Sequence, residues 1–301
     1  MAATIEVQQI SKSFNGQQAV RNLSFTVPKG RIYGLLGPNG AGKTTTIRML
    51  MDIIVPDSGT VMLFGEPFRR EALSRVGYLP EERGLYKKMN VVDMLVFLAE
   101  LRGMDRPTAL RTVHSWMHRL EMDDWVKKKV EELSKGMQQK LQFAGTVLHD
   151  PDLIILDEPF TGLDPVNANL LKKIMLELED GGKTIIFSTH QMEQVERLCD
   201  GICLVNKGQS VLQGSLKEIK RGYGTNTILA GVEGDWAFLR GLPEVREVFD
   251  TGNFIQIKMQ PKADPQAILK AMMEKLRVTH FELTEPSLEE IFIQAVGKAA
   301  S

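Results

Sequence analysis

Short apolar runs alternate with helix-periodic segments along the chain, and this alternation predicts the elements. Near the N-terminus, apolar runs predict strands over residues 4–7, 23–27 and 31–36, and a glycine-rich turn then leads into a helix from about Lys43. Two further runs, at 61–64 and 76–79, are typical of hairpin strands. Residues 91–120 are predicted to be mostly helical, since apolar residues recur there at the spacing of one helix face: Val91, Met94, Leu95 and Leu98.

The middle of the chain has a different pattern. Residues 153–156 and 184–187 are continuous apolar runs that polar residues or glycines bound, and a helical segment follows each run. Such runs are typical of parallel strands that are buried on both faces. Strands that alternate with helices predict an α/β core.

A break at 222–225, in the segment Arg-Gly-Tyr-Gly-Thr-Asn, ends a predicted helix over 216–220 and indicates a domain boundary. We therefore expect one domain over 1–222 and a smaller one over 223–301. The smaller domain has the predicted order βαββαβ of a ferredoxin-like α+β fold. A last helix over 287–296 opens with Ser-Leu-Glu-Glu, a capping box. The predicted elements of the βαββαβ order are strands at 227–232, 245–249, 254–259 and 278–283 and helices at 235–240 and 265–276.

The composition limits the function classes. Among 301 residues, 37 Lys and Arg stand against 38 Asp and Glu, and the net charge of -1 argues against a general nucleic-acid coat. Cys199 and Cys203 are the only cysteines, which excludes a disulfide framework and favours a reducing cytosol. The sequence shows neither a secretory leader pattern nor an apolar run of about 20 residues. We therefore expect a cytoplasmic protein that serves any membrane process by docking on another chain.

One glycine-rich segment carries the clearest chemical signal. It fits the pattern G-x-x-x-x-G-K-[ST] between a predicted strand and a predicted helix, a context that disfavours an ordinary glycine turn. Glycines let the main chain approach phosphates, and the helix N-terminus presents N–H groups to them. Lys43 is expected to reach the β and γ phosphates, and the Thr44 hydroxyl to ligate Mg²⁺. The predicted nucleotide-binding residues here are Gly37, Pro38, Asn39, Gly40, Ala41, Gly42, Lys43, Thr44 and Thr45.

Two acids, Asp157 and Glu158, follow the apolar strand at 153–156. At the carboxyl end of a central strand, acids face the crevice in which ligands bind. Asp157 is suited to hold Mg²⁺, and Glu158 to polarise an attacking water. A solvated turn acid is the alternative for an arbitrary Asp-Glu pair. The phosphate loop upstream favours the functional interpretation.

Further motifs complete a resemblance to a known family. Leu133-Ser-Lys-Gly-Met-Gln-Gln139 precedes the acid strand, and Thr161-Gly-Leu-Asp164 and the strand-end His190 follow it. In this order the motifs resemble an ATP-binding cassette (ABC) ATPase over about residues 3–216. The resemblance implies an α/β fold with a P-loop NTPase core, an antiparallel β subdomain and a helical subdomain at about 88–148.

The same resemblance implies the roles of individual residues. Two copies would sandwich ATP, with Ser134 and Gly136 of one copy contacting the γ-phosphate held by the other, and with Asp164 organising the seam. His190 would hold the γ-phosphate and link it to Glu158. Phe14 occupies the place of the aromatic residue that stacks on adenine. For Phe14 the sequence leaves a second interpretation open, that of an ordinary core residue.

The sequence departs from the family pattern at two motifs. Glu81, after Gly-Tyr-Leu-Pro, stands where the family usually has a glutamine that touches Mg²⁺ and the lytic water. A carboxylate can ligate Mg²⁺ but cannot donate a hydrogen bond when ionised, so we expect altered Mg²⁺ dependence or slower turnover. Lys135 and Met137 replace the commoner Gly and Gln of the signature, which leaves their individual contacts undefined.

These variants and the closing segment 286–292 resemble one bacterial branch whose members power exporters of sodium, drugs or antibiotics through a separate membrane chain. The expected function is therefore ATP hydrolysis that drives a transmembrane permease from the cytoplasmic face of the membrane, with ATP and Mg²⁺ as cofactors. The expected partners are a second copy and the permease, without nucleic acid. The C-terminal domain is expected to assist dimerisation or regulation. The alternatives are a soluble ABC ATPase acting on nucleic acid or ribosomes, and a regulator that binds nucleotide without hydrolysis.

Overall fold

The computed structural model describes residues 2–82, 84–223, 227–261 and 263–299, with side chains described up to residue 296. The chain divides into two compact units, Met1–Ser215 and Leu216–Ser301. This division falls earlier than the predicted boundary after residue 222, because the helix Leu216–Tyr223 packs on the last helix of the second unit. Residues 224–226 of the predicted break lie outside the described residues.

The first unit is an α/β domain that combines two sheets with a helical layer. Its described strands are β1 (Ala3–Phe14), β2 (Gln17–Pro28), β3 (Ile32–Leu36), β4 (Ser58–Leu63), β5 (Glu66–Pro67), β6 (Val76–Leu79), β7 (Leu153–Asp157), β8 (Thr184–Thr189), β9 (Gly201–Asn206) and β10 (Gln209–Ser215). Its described α-helices are α1 (Lys43–Leu50), α2 (Val91–Leu101), α3 (Arg106–Arg119), α4 (Lys135–Val147), α5 (Pro165–Asp180) and α6 (Met192–Leu198).

The central sheet of this unit has the order β10-β9-β3-β8-β7-β6. All neighbours in it are parallel except β10, which is antiparallel to β9. Every residue of β3, β7 and β8 is buried. Continuous apolar runs are typical of such parallel strands, which are covered on both faces. The carboxyl ends of β3, β7 and β8 therefore meet at one edge, where the phosphate loop, Asp157 and His190 follow them.

The prediction of a hairpin strand at 76–79 is wrong. This segment is β6, which pairs in parallel with β7 at the edge of the central sheet. The chain between the two strands runs through the helical layer instead of a tight turn, and Val76 and Leu79 are fully buried.

The second sheet of the first unit is antiparallel, in the order β2-β1-β4-β5. The apolar runs at 4–7 and 23–27 mark only parts of the long strands β1 and β2, because the intervening residues include exposed polar ones such as Gln8 and Gln9. The β1–β2 hairpin closes at Asn15-Gly16, and Phe14 pairs with Gln17 across it.

The helical layer follows the predicted subdomain at about 88–148. It consists of α2, α3 and α4, which contact one another. Val91, Met94 and Leu95 are fully buried, as the helical periodicity indicates. Helix α4 begins at Lys135, because Ser134 caps it by accepting a hydrogen bond from Met137 N. The signature motif therefore lies in the first turn of α4 and not ahead of it.

The second unit contains α7 (Leu216–Tyr223), β11 (Thr227–Glu233), β12 (Val245–Asp250), β13 (Ile255–Met259), α8 (Pro265–Lys275), β14 (Arg277–Thr284) and α9 (Leu288–Ala299). Its antiparallel sheet has the order β12-β13-β11-β14, which confirms the βαββαβ prediction. The first predicted helix is a 3-10 helix, Ala237–Gly241. Ser287 and Glu290 form the predicted capping box of α9 by two reciprocal hydrogen bonds.

Both cysteines are buried free thiols. Burial raises the pKa of Cys203 to about 12, so this thiol stays protonated and unreactive at neutral pH. No helix in the described part of the chain combines the length and the hydrophobicity that a bilayer crossing requires.

Candidate functional site

The phosphate loop connects β3 to α1, and its glycines permit contacts that a larger residue would block. A Cβ on Gly37, whose φ is 155°, would lie 2.1 Å from Val205 O. Gly42 caps α1 with a φ of 103°, and a Cβ there would lie 2.6 Å from Ala19 O. The loop can therefore lie directly against both β9 and β2.

Lys43 is the cation at the base of this loop, and only 6% of the residue is exposed. Its Nζ donates hydrogen bonds to Gly37 O at 2.8 Å and Pro38 O at 3.2 Å. The same Nζ lies 3.7 Å from Glu158 Oε1. The loop carbonyls thus orient a buried ammonium group beside Glu158, the acid that follows β7.

Asp157 lies at the carboxyl end of β7 and is fully buried. Its Oδ1 accepts hydrogen bonds from Ser188 Oγ and, at 3.3 Å, from Thr44 Oγ1. No described group donates to Oδ2, which is buried. An unpaired carboxylate oxygen beside a hydroxyl is a donor set that suits Mg²⁺, a hard cation with oxygen ligands.

The rest of the coordination sphere would come from elsewhere. Within the described residues, no three or more His, Cys, Asp or Glu side chains are grouped as a metal site. At nucleotide sites Mg²⁺ commonly takes further oxygens from phosphates and water.

The pKa of the nearby Tyr78 is raised, mainly by burial and to a smaller extent by the negative charge of Asp157.

Glu158 has an unusual backbone conformation, with a φ of 49°. Two contacts hold it there: Ser188 Oγ accepts a hydrogen bond from Glu158 N at 3.0 Å, and His190 Nδ1 lies 3.1 Å from Glu158 Oε1. A left-handed non-glycine residue at the end of a strand is a form of strain that clusters at functional sites. The strain here directs the carboxylate toward Lys43.

Lys43, Thr44 and Glu158 open onto one cavity of about 660 Å³. Phe14 contributes to its wall and is 43% exposed, so the interpretation of Phe14 as a core residue is wrong. The exposed Glu81 also lines the cavity. The described lining residues are Phe14, Gln17, Gln18, Ala19, Arg21, Asn39, Gly40, Ala41, Gly42, Lys43, Thr44, Thr45, Glu81, Glu158 and Lys207.

Seven of the predicted site residues are not among the described residues that line this cavity. Four of them contact lining residues: Lys43 Nζ donates to Gly37 O and Pro38 O, Thr44 Oγ1 donates to Asp157 Oδ1, and His190 Nδ1 lies 3.1 Å from Glu158 Oε1.

The other three are Ser134, Gly136 and Asp164. Gly136 lies close to the loop of Asp164, since a Cβ on it would lie 3.5 Å from Gly162 O. Asp164 caps α5 and is exposed, and the hydrogen bond from Asn167 N lowers the pKa of its carboxyl. These residues lie together on a surface outside the cavity of their own chain.

The sequence did not single out several residues that the structure brings to the site. Ser188 is the penultimate residue of β8, the strand that precedes His190. The shared edge of parallel strands was the signal that could have found it. Gln142 of α4 donates to Pro80 O at 3.2 Å and Glu82 O at 3.3 Å, and so fixes the Glu81 segment. Lys207 lies in a Lys-Gly turn for which the sequence gives no motif.

A strand–phosphate loop–helix unit with an acid pair at the carboxyl end of another parallel strand of the same sheet defines the class of P-loop nucleotide-hydrolysing proteins. Comparisons with known proteins define the family. The ABC transporter family matches residues 20–161, and a family described as "ATP-binding protein DrrA1-3-like, C-terminal domain" matches residues 214–296. The chain belongs to the ABC transporter ATP-binding proteins, which are ATPases coupled to transport.

Individual relatives agree with this. An uncharacterized ABC transporter ATP-binding protein of Bacillus subtilis, YhaQ, is 43% identical over 97% of this chain and 98% of its own length. The Nod factor export ATP-binding protein I of Burkholderia lata is 40% identical over 71% of each chain. A solved ATP-binding subunit of an ABC transporter matches 73% of this chain and 93% of its own, with a TM-score of 0.67 and 29% identity.

Proposed function

We propose that this chain binds and hydrolyses ATP to drive a separate transmembrane permease, and that the transporter is an exporter. The observation that carries the proposal is the cavity in which the phosphate loop, Lys43, Glu158 and Phe14 come together. The word "export" in the name of the Burkholderia relative supports the direction of transport. A location on the cytoplasmic face of the membrane follows from the permease partner.

Nucleotide binding is proposed to use two ends of the cavity. Phe14 offers an exposed ring on which adenine can stack, and residues Gly37 to Thr45 surround the phosphates. Lys43, held by two loop carbonyls, then exchanges the nearby Glu158 carboxylate for β and γ phosphate oxygens. Because this ammonium is already oriented, little side-chain entropy is lost on binding.

For hydrolysis, Glu158 is proposed to orient the attacking water and to accept its proton. His190 contacts the Glu158 carboxylate at 3.1 Å and is proposed to hold the γ-phosphate. Lys43 stabilises the charge that develops on the phosphate oxygens. The residues that would hold Mg²⁺ are Thr44, Asp157 and Glu81, and the bound ion would neutralise charge on the β and γ phosphates.

The active assembly is proposed to be a head-to-tail dimer. Ser134 and Gly136 lie outside the cavity of their own chain, on the first turn of α4. The N-terminus of α4 can therefore present its N–H groups to the γ-phosphate that a second copy holds. Asp164 of the adjacent loop would contact the partner at the seam. ATP closes the dimer because it binds the closed state more tightly.

The permease is proposed to dock on the helical layer near Glu81. An aromatic pair, Tyr86 and Phe97, lies on this surface with ring centroids 5.7 Å apart. Tyr86 is 53% exposed and Phe97 is 36% exposed. Exposed aromatic pairs are typical of protein interfaces and suit a helix of a partner chain.

An ATPase assay with Glu158→Gln tests the proposal. We expect hydrolysis to fall by about 100-fold or more, since the variant keeps the shape but loses the base. ATP binding should persist, and light scattering should show ATP-dependent dimers that last longer than those of the wild type. Equal hydrolysis by both proteins would contradict the catalytic role, and a monomer at saturating ATP would contradict the dimer.

Glu81→Gln tests the unusual metal ligand. The substitution removes a negative charge near the γ-phosphate and a ligand that Mg²⁺ prefers. We therefore expect a higher Mg²⁺ concentration for half-maximal rate, and a higher rate once Mg²⁺ is saturating. Glu82→Gln, next to it in the chain, is the matched control. An unchanged rate and unchanged Mg²⁺ dependence would refute the role of Glu81.

A further inference from the structure

Three hairpins of the first unit close with the same two-residue turn. The φ angles are 49° and 80° at Asn15-Gly16, 55° and 81° at Phe64-Gly65, and 48° and 79° at Lys207-Gly208. Each turn joins directly paired antiparallel strands, namely β1–β2, β4–β5 and β9–β10. Two positive φ angles in a two-residue loop are the geometry of a type I′ turn.

The first position of this turn favours Asn, Asp or Gly, because other side chains crowd the backbone in the left-handed conformation. Asn15 satisfies this preference, and the other two residues do not. Phe64 has a separate reason to be there, since it packs against the core and the Arg75 guanidinium lies 3.9 Å above its ring. Lys207 therefore requires a reason of its own.

Local contacts do not supply that reason. Lys207 is exposed, and its side chain makes no ion pair or hydrogen bond with any residue in the described ranges. Among the described residues, Lys207 lines the cavity that the phosphate loop and Phe14 also line. A turn residue that its backbone disfavours thus carries a free ammonium group into this cavity.

The backbone fixes the position of this turn on the cavity wall. Gly208 N donates to Ala41 O of the phosphate loop at 2.9 Å, and Arg21 N donates to Gly208 O at 2.8 Å. A Cβ on Gly208 would lie 2.7 Å from Ala19 O, so the turn lies directly against β2. Lys207 is consequently held at a constant distance from the phosphate loop.

We infer that Lys207 is a further nucleotide-binding residue whose ammonium group pairs with the phosphate chain of the bound nucleotide. The inference rests on the proposed function, which makes this cavity the nucleotide site. The charge balance supports it, since Lys43 lies 3.7 Å from Glu158 and Glu81 lines the same cavity. Arg21 also lines the cavity, but its Nε donates to Gln18 Oε1 at 2.8 Å, whereas the Lys207 ammonium has no described partner. With two acids beside it, a polyanionic ligand gains from an additional cation of this kind.

Lys207→Asn separates this role from a structural one. Asparagine suits the turn, so the thermal midpoint should stay the same or rise. The Kd for Mg·ATP and Mg·ADP, measured by calorimetry, should nevertheless rise by about three- to tenfold. Wild-type affinity should also fall more steeply with added salt than that of the variant. An unchanged Kd, or a Kd that rises only together with a lower midpoint, would overturn the inference.

Three controls accompany the variant. Lys207→Arg keeps the charge and should restore most of the affinity. Lys29→Asn removes an exposed lysine that also precedes a glycine but does not line the cavity, and it should leave the Kd unchanged. Lys43→Ala tests the site itself. If Lys43→Ala leaves the affinity unchanged, the proposed site and this inference both fail. If only Lys207→Asn has no effect, this inference alone fails.

Discussion

Ser188 shows how one small side chain can set the geometry of two acids. Its Oγ accepts a hydrogen bond from Glu158 N and donates one to Asp157 Oδ1. The hydroxyl is buried and has no role in the motifs, yet it holds the strained Glu158 backbone and orients the proposed metal ligand. Groups of this kind commonly matter almost as much as the ligands that they position.

Ser188→Ala should therefore slow hydrolysis by about 10- to 100-fold. The loss arises because Glu158 loses the hydroxyl that holds its left-handed backbone, and because Asp157 loses one of its two donors. The Kd for ATP without Mg²⁺ should change little, since the phosphate loop is intact. The matched control is Ser210→Ala, which removes a hydroxyl of β10 that contacts Cys203 of β9. A normal rate for Ser188→Ala would contradict the positioning role.

At this scale, sequence and structure differ in a systematic way. The phosphate loop, Asp157 and Glu158 could be predicted because each motif is contiguous and its chemistry requires those residue types. Ser188, Gln142 and Lys207 reach the site only through strand order and helix packing. Their side chains are ordinary ones, so no local pattern distinguishes them.

At the scale of elements, helix ends show where local chemistry decides the structure. Asp105 caps α3, and its carboxylate accepts a hydrogen bond from Thr108 N at 3.0 Å. This bond lowers the pKa of Asp105 below its ordinary value of 3.8. The carboxylate therefore stabilises the fold fully above pH 3.8, and this contribution is lost as the pH falls through the lowered pKa.

Asp105→Ala should lower the thermal midpoint at pH 7, because α3 loses its cap. The difference from the wild type should shrink as the pH falls below about 4, where the wild-type carboxylate itself becomes protonated. Asp105→Asn keeps a capping oxygen without the charge, so its thermal midpoint should stay near that of the wild type at pH 7 and should not share the loss that the wild type shows at pH 2.5. A difference that persists at pH 2.5 would show that the cap is not the cause.

Close packing between elements depends on glycines with ordinary backbone angles. A Cβ on Gly77 of β6 would lie 2.4 Å from Thr146 O and 3.0 Å from Pro151 Cγ. Helix α4, which carries the signature, can approach the sheet edge only because Gly77 has no side chain. Because the obstructing atom is backbone, it cannot move aside cheaply.

Gly77→Ala should destabilise the protein by about 1–3 kcal/mol, since β6 and α4 must separate. Denaturant titration measures this value, and the rate of ATP hydrolysis should fall as well, because the Glu81 segment follows β6. Gly84→Ala is the control, since a Cβ there would meet no atom within 4 Å. Equal stability of the two variants would contradict the packing argument.

Periodicity predicted most elements but not their partners. The helical layer and the buried strands follow from apolar spacing, because burial dictates that spacing. The apolar run at 76–79 predicts a hairpin strand, which pairs with a neighbour along the chain. Its actual partner is β7, which follows the helical layer in the sequence. Strand pairing of this kind depends on tertiary packing and not on a local signal.

For the whole molecule, the two units have separate cores. Ile228, Ile257 and Ile268 belong to the core of the second unit, and the antiparallel sheet of the first unit packs on its own cluster. A chain that ends at Ser215 should therefore fold, and its affinity for ATP should stay within about twofold of the full chain. Calorimetry and thermal unfolding measure both properties.

The truncated chain also tests the expected contribution of the second unit to dimerisation. If this unit assists, light scattering should show a smaller dimer fraction at a given ATP and protein concentration. An unchanged dimer mass would assign the second unit a role other than dimerisation. A truncated chain that fails to fold would instead contradict the independence of the two cores.

Gln142 gives the proposed transporter a mechanical property. Its two hydrogen bonds join the segment from Pro80 to Glu82 to α4, so we expect this segment to follow a displacement of α4. A permease that rotates the helical layer would therefore swing the Glu81 carboxylate toward or away from the phosphates. The rate of ATP hydrolysis would then depend on the conformation of the permease. Hydrolysis without transport would be suppressed whenever the permease has no transport substrate bound.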